Sequence, residues 1–266
     1  LFSVSFLLFS QNKKALFIKI SDSLSGDPVP FSRITFNKTR SVLTDENGKC
    51  ILFYDKSIKH DTLEVMAGGF YPSKRVVDVD KNLLHIKLFP EPNSLSVIEV
   101  TATPVKNCFK GKTPKKEAGG FVSTDGKRRG AEVATLLDWN SKAPAQLKGV
   151  GFFILKNESP DTILLRINVY RVRNDRPDSL LLSRNLKIFG KDVLKTQSWI
   201  YFQGIILTPG INLAISLECL TEDAGLNKFC FSTSGKKEGW VRYAGYSFWK
   251  KVRGGSFLFE PLIVCE

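Results

Sequence analysis

At 266 residues and 42% hydrophobic content, the chain is long enough to bury two ordinary domain cores, so it is not a disordered polymer. Its formal charge of +13 would draw it toward polyanions such as acidic glycans, anionic lipid headgroups or nucleic acid. Phe is abundant at 20, with 20 Gly and 12 Pro, and apolar residues fall in short runs between turn residues, which sets an all-β expectation.

Residues 1–10, all apolar or small, form a run too short to cross a bilayer as a helix. They read as a signal-peptide core, with cleavage near Ser10 or Gln11, and residues 1–14 are assigned to that remnant. The competing reading is a first β-strand, since Phe and Val favour strands. No Cys lies beside the run to anchor a lipid, and no later run is long and apolar enough for a transmembrane span.

From Ala15 the pattern is one of short alternating strands. Residues 16–20 lead into the turn Ser25-Gly26-Asp27-Pro28-Val29-Pro30, residues 31–36 alternate at period two, and Asp45-Glu46-Asn47-Gly48 turns the chain into residues 49–54. Residues 61–67, 73–79 and 83–88 supply further strands, and 94–102 one last extended segment. About seven strands make a small sandwich over residues 15–103.

Periodicity is then lost over 104–130, where Lys106, Lys110, Lys112, Lys115, Lys116, Lys127, Arg128 and Arg129 face only Glu117 and Asp125. This reads as a solvated basic linker. It shows no zinc, helix-turn-helix or RNP pattern and few aromatics, so no specific nucleic-acid partner is expected.

Residues 131–266 restart with a short helical piece over 131–139. Strands follow at 150–155 and at 164–172, the latter with one face buried and the other wet. Residues 173–179 read as a polar loop, with strands around Leu186, at 199–202, 212–220 and 229–232, and in the aromatic-rich end at 240–246 and 256–264. A second, jelly-roll-like sandwich accounts for these.

The five cysteines are Cys50, Cys108, Cys219, Cys230 and Cys265, with no CxxC pair and so no zinc-ribbon spacing. Cys219 and Cys230 flank residues 221–227 almost symmetrically and would lie opposite one another in a hairpin. The readings are an export-compartment disulfide or two small buried hydrophobes.

Several ordered features of the first half carry a resemblance: Ile18-Lys19-Ile20-Ser21-Asp22 with Leu24-Ser25-Gly26-Asp27-Pro28, then Thr44-Asp45-Glu46-Asn47-Gly48, Asp61-Thr62-Leu63-Glu64-Val65 with Gly69-Phe70-Tyr71, and Leu84-His85-Ile86-Lys87-Leu88. Over roughly its first 90 residues the chain resembles the carboxypeptidase-regulatory-like domain, a transthyretin-like (prealbumin-like) sandwich of exported Bacteroidota proteins. Phe70 stands where that family has Gly-Tyr directly. The matched residues are turn and core positions, so the resemblance implies a fold and no catalytic role. The second half, through residues 149–154, 165–170 and Pro209-Gly210 before 213–218, looks like the carboxy-terminal region of proteins that begin with this module.

A hydrolase needs a nucleophile with a base, or a metal cluster, and the chain has only His60 and His85. His85 lies in an alternating strand, and His60 with Glu64 lacks zinc-peptidase spacing. There is no His-Glu-x-x-His, no Gly-x-Ser-x-Gly and no phosphate-cradling Gly-rich loop with Lys. No enzyme, cofactor or metal is expected. The functional signal is aromatic: Trp240, Tyr243, Tyr246 and Trp249 crowd near the end with Arg242, and flat rings beside a cation can stack on sugars. Core packing is the plainer role for the same rings. The reading is a non-catalytic exported cell-envelope binding or scaffold protein, in the periplasm or at the cell surface, with a glycan or envelope protein as partner and its oligomeric state left open. The alternative is a soluble accessory component of a TonB-dependent nutrient uptake system, because residues 95–102 resemble the strand that follows this module in such receptors.

Overall fold

The structure is a computed structural model, and it describes residues 13–55, 57, 60–78, 82–91, 117–121, 129–137, 139, 145–157, 162–188, 197–221, 229–234, 238–254 and 256–265. Residues 1–12 of the expected signal-peptide remnant 1–14, the extended segment expected at 94–102, most of the expected basic linker, Cys108 and the side chains of His60 and Trp199 lie outside the described residues. The described residues are all-β, with sheets packed as sandwiches. The chain divides into two compact units, Leu1–Ser94 with Gly245–Phe248 and Leu95–Ala244 with Trp249–Glu266.

The first unit holds β1 (Lys13–Asp22), β2 (Arg33–Phe36), β3 (Arg40–Leu43), β4 (Lys49–Asp55), β5 (His60–Met66), β6 (Ser73–Asp78) and β7 (Leu83–Leu88). They form two sheets, β4-β1-β7 and β3-β2-β5-β6. β1 begins at Lys13, inside the segment assigned to the leader, and runs antiparallel to β4 and parallel to β7. Its period-two pattern sends Leu16, Ile18 and Ile20 into a core with Ile34, Leu52, Tyr54, Leu63, Val65 and Ile86.

The Thr44–Gly48 turn shows why those residue types recur together. Thr44 Oγ1 accepts from Ser32 N at 2.8 Å and donates to Val29 O at 3.2 Å, while Asp45 Oδ1 accepts from Asn47 N at 2.9 Å and Lys49 N at 2.8 Å. Gly48 has φ +68, and a Cβ there would lie 2.4 Å from Ile20 O. Gly48→Ala therefore combines left-handed strain with a backbone clash and should destabilise the first unit by about 2–3 kcal/mol, read by urea titration.

The second unit holds β8 (Glu117–Gly119), β9 (Glu132–Leu137), β10 (Ala145–Asn157), β11 (Ile163–Arg173), β12 (Arg176–Ile188), β13 (Gln197–Leu207), β14 (Leu213–Cys219), β15 (Phe229–Ser234), β16 (Glu238–Arg242), β17 (Lys250–Arg253), β18 (Ser256–Phe257) and β19 (Phe259–Cys265). One sheet has the order β13-β10-β15-β18, with β19 also on β10 and β8 on β15; the other runs β12-β11-β14-β9-β16-β17. The core contains Leu147, Val150, Phe152 and Ile154 from the first sheet and Val133, Ile167, Val169, Ile215 and Leu217 from the second. Long β10 changes register against both β13 and β19 between Leu147 and Gly149. At that bulge a Cβ on residue 149 would come within 2.8 Å of Ile200 O, so glycine is required by close approach.

Several expectations need correction here. The helical piece at 131–139 is instead β9, paired on both sides by β14 and β16, so sheet pairing overrides the local helix propensity of Ala, Glu and Leu. The polar loop at 173–179 is a two-residue turn: Asn174 and Asp175 take φ values of 49 and 55, which suits the twist of a hairpin. β12 then starts at once, with Pro177 opposite Val172 at a register shift on the sheet's edge strand. Within the expected linker, residues 117–119 pair with β15 and Phe121 is buried in the second core.

The hairpin that would have set Cys219 against Cys230 does not form, because β14 and β15 belong to different sheets. Cys219 is buried, and its Sγ lies 3.5 Å from Thr221 O.

Candidate functional site: a buried charge row beneath a half-buried tryptophan

The alternation of β11 predicts a dry face and a wet one, yet both are buried. Leu165, Ile167 and Val169 enter the core, while Arg166, Asn168 and Tyr170 project from the opposite face and are also buried. Registers explain how. Arg166 stands opposite Asn185 and Glu218, Glu218 opposite Glu132, and Glu132 opposite Arg242, so one straight row crosses β12, β11, β14, β9 and β16. Asn168 and Ser216 lie next to it in the neighbouring row.

Two carboxylates directly opposite one another repel. Here each is held by its own cation and by a shared amide. Arg242 Nη2 donates to Glu132 Oε2, Arg166 Nη1 lies 3.4 Å from Glu218 Oε2, and Asn168 Nδ2 donates to Glu132 Oε1 at 2.8 Å and to Glu218 Oε2 at 3.0 Å. Ser216 Oγ adds a bond to Glu132 Oε1, Ser183 Oγ donates to Asn168 Oδ1 at 2.7 Å, and Arg166 Nε donates to Asn185 Oδ1 at 2.9 Å. Among the described residues Arg242 Nε is buried without a hydrogen-bond partner, but both carboxylates of the row are held from several sides, and a pairing this specific fixes strand register, since breaking it would cost about 3 kcal/mol.

Burial works against the charged Arg242 guanidinium, but the adjacent Glu132 carboxylate, with Tyr170 and Glu218, outweighs it and drives its pKa upward. Arg242 therefore stays charged at every accessible pH. Its Nη2 also donates to Tyr170 Oη at 3.0 Å, and the Trp249 ring lies 4.5 Å from the guanidinium carbon, in cation–π contact. Tyr170 meets Trp249 edge-on at 5.6 Å. Trp249 is thus fixed from below by a charge that is itself fixed, and it remains half-buried.

Trp240 lies on the same face, buried against Ala134 and Ala214, with Trp249 and Val172 packed on it. Its Nε1 donates to Asp175 O at 3.0 Å, tying the β11–β12 turn to this patch. Around it are exposed polar groups: Lys251 Nζ lies 2.6 Å from Asp175 Oδ2 and 3.2 Å from Glu238 Oε2. Hydrogen bonds to Asp175 first, then Glu238, raise the Lys251 pKa.

Of the five sequence-predicted ligand residues, Trp240, Arg242 and Trp249 come together, and only Trp249 of these retains an open surface. Tyr243 packs against the core on the other face. Tyr246 groups with the first unit, 43% exposed and edge-on to Phe248 at 5.4 Å. Sequence reasoning missed Glu132, Arg166, Asn168, Tyr170 and Glu218; a period-two pattern is the local signal for the residues on β11 and β14, and Glu132, in a segment that reads as helical, has none. His85 sits exposed on β7 with Nε2 2.8 Å from Ser21 Oγ. Among the described residues no three His, Cys, Asp or Glu side chains cluster in a way that could hold a metal ion.

No family model and no curated protein matches the chain. A solved structure reported as the structural basis for the promiscuous specificity of carbohydrate-binding modules from the β-sandwich superfamily aligns over 84% of this chain and 96% of its own, at 12% identity and a TM-score of 0.23. No helix among the described residues is long and apolar enough to cross a membrane.

Proposed function

We propose that the chain is a non-catalytic, exported cell-envelope protein of the periplasm or cell surface, in which a carboxypeptidase-regulatory-like module carries a second sandwich that binds glycan. The observation that supports this reading is the seating of Trp249. A sugar ring presents a C–H face that stacks on a flat aromatic and hydroxyls that need polar partners. Trp249 offers the first, immobilised over Arg242 and against Tyr170. Asp175, Lys251 and Glu238 offer the second on neighbouring strands and the adjoining turn. Arg242 acts in this scheme as a positioning residue, since it is buried and engaged by Glu132.

What supports a non-catalytic reading is that Glu132 and Glu218, which stand opposite one another on β9 and β14, are buried and committed to Arg242, Arg166 and Asn168. A carboxyl group held in that way is poorly placed to exchange protons with a substrate.

The experiment is an array of glycans and cell-envelope polymers, probed with the full chain and with Trp249→Ala at two salt concentrations. The expected outcome is binding that survives the higher salt and weakens about tenfold in the variant, as for a lost stacking contact. Binding that vanishes with salt in both proteins would mean that only the net positive charge acts.

A further inference from the structure

The outward face of the three-stranded sheet in the first unit carries large apolar side chains where a solvated sheet would carry polar ones. On β1 the outward positions are Lys13, Ala15, Phe17 and Lys19; on β4 they are Lys49, Ile51, Phe53 and Asp55; on β7 they are Leu83, His85 and Lys87. Register gathers the apolar ones. Ile51, Phe17 and Leu83 form one straight row across the three strands, and Phe53 with Ala15 forms the next. Phe17 is 49%, Ile51 45%, Phe53 56% and Leu83 68% exposed, so the four make a contiguous open patch, not scattered single residues.

The groups around the patch have one dominant sign. Lys49, Lys19 and His85 form the adjoining row, Lys87 lies beyond it and Lys13 at the opposite end. Asp55 is the single carboxylate on the face among the described residues. Its oxygen accepts from Ser57 N at 2.9 Å and Ser57 Oγ at 2.8 Å, and the Ser57 backbone bond, more than the distant Arg40 charge, holds its pKa below the ordinary value. His85 faces Lys19 across the strands and has Ser21 Oγ at its Nε2.

We infer that this face docks the protein on an anionic lipid surface. Side chains stand roughly perpendicular to a sheet, so a sheet lying flat on a bilayer places Phe17, Phe53, Ile51 and Leu83 at the headgroup–acyl boundary together. The lysines at both ends of the patch have stems long enough to reach lipid phosphates while their apolar carbons stay against the patch. Charge complementarity selects the occupant. Rings and aliphatic chains framed by cations suit the interface of a membrane rich in anionic lipid, and each lysine near such a surface strengthens binding about fivefold.

The test uses the full chain and two kinds of vesicle, phosphatidylcholine alone and phosphatidylcholine with about one-third phosphatidylglycerol, with co-sedimentation as the readout. The wild type should partition onto the anionic vesicles and much less onto the neutral ones. Phe17→Ser with Phe53→Ser leaves net charge unchanged and should weaken binding at least about tenfold. Lys19→Glu with Lys49→Glu should abolish it. Val76→Ser, a 75% exposed position on β6 in the unit's other sheet, should bind as the wild type does. All these side chains are exposed, and matching thermal melts confirm intact folds. Failure of the wild type to sediment with anionic vesicles overturns the inference, as does undiminished binding by the Phe17, Phe53 variant, which would leave only the net charge of +13 acting.

Discussion

Replacing Glu132 with Ala should destabilise the second unit by about 3–5 kcal/mol, because it strands Arg242 as a buried cation and removes the acceptor of Asn168 and Ser216 as well. The test of mechanism lies in the pair. Glu132→Leu combined with Arg242→Met removes both charges and keeps apolar volume, and such replacements of buried ion pairs are often neutral or stabilising. The double variant should therefore recover the part of the loss that comes from the stranded cation, leaving the lost acceptor of Asn168 and Ser216, in a guanidinium titration. Because the chain has two compact units, the transition followed should be that of the second, read by a probe specific to it. If Glu132→Ala costs less than about 1 kcal/mol, the charge row is a surface feature and not a buried one.

A loss of similar size, about 3–5 kcal/mol, should follow Phe231→Ala. Phe231 is fully buried on β15, with ring centroids 5.2 Å from Phe121, 6.3 Å from Phe229 and 5.7 Å from Phe257. Four aromatic rings from three separate parts of the chain meet there, and collapse around a ring-sized cavity would have to move β8, β15 and β18 together. The same variant tests where the second unit begins. Phe121 precedes the segment from Ala131 onward in which the sequence suggested a fresh start, so a truncation beginning at Ala131 should be destabilised much as Phe231→Ala is. Urea titration of both proteins gives the comparison.

Much of the fold is legible locally. Burial alternates along β1, β4 and β7, and the sequence shows that period plainly in residues 84–88 of β7, whereas β4 reads as a continuous apolar run because Ile51 and Phe53 face outward. The Thr44–Gly48 turn is legible because a side-chain acceptor at Asp45 and a left-handed glycine at residue 48 leave a fixed signature. β9 was not, since a strand whose two neighbours are β14 and β16 owes its conformation to residues about eighty and one hundred positions away, and local propensity carries no trace of them.

The charge row was illegible for the same reason. Arg166 in an alternating strand looks solvated until Glu218 is placed opposite it, and Arg242 meets Glu132 across 110 residues of sequence. The aromatic cluster was visible, but its division was not. Alternation in β16 puts Trp240 and Arg242 on one face, but it does not extend to Tyr246, which groups with the first unit, and it could not show that the face of Trp240 is closed and that Trp249 keeps the open surface.

The direct test of the glycan-binding account is isothermal calorimetry of the strongest array ligand against the full chain, Trp249→Ala and Trp249→Phe at physiological salt. The account predicts about a tenfold weaker Kd for Trp249→Ala and partial recovery with the smaller ring of Trp249→Phe, with both variants folded. Equal affinity for all three proteins would contradict it and place any binding surface elsewhere on the molecule.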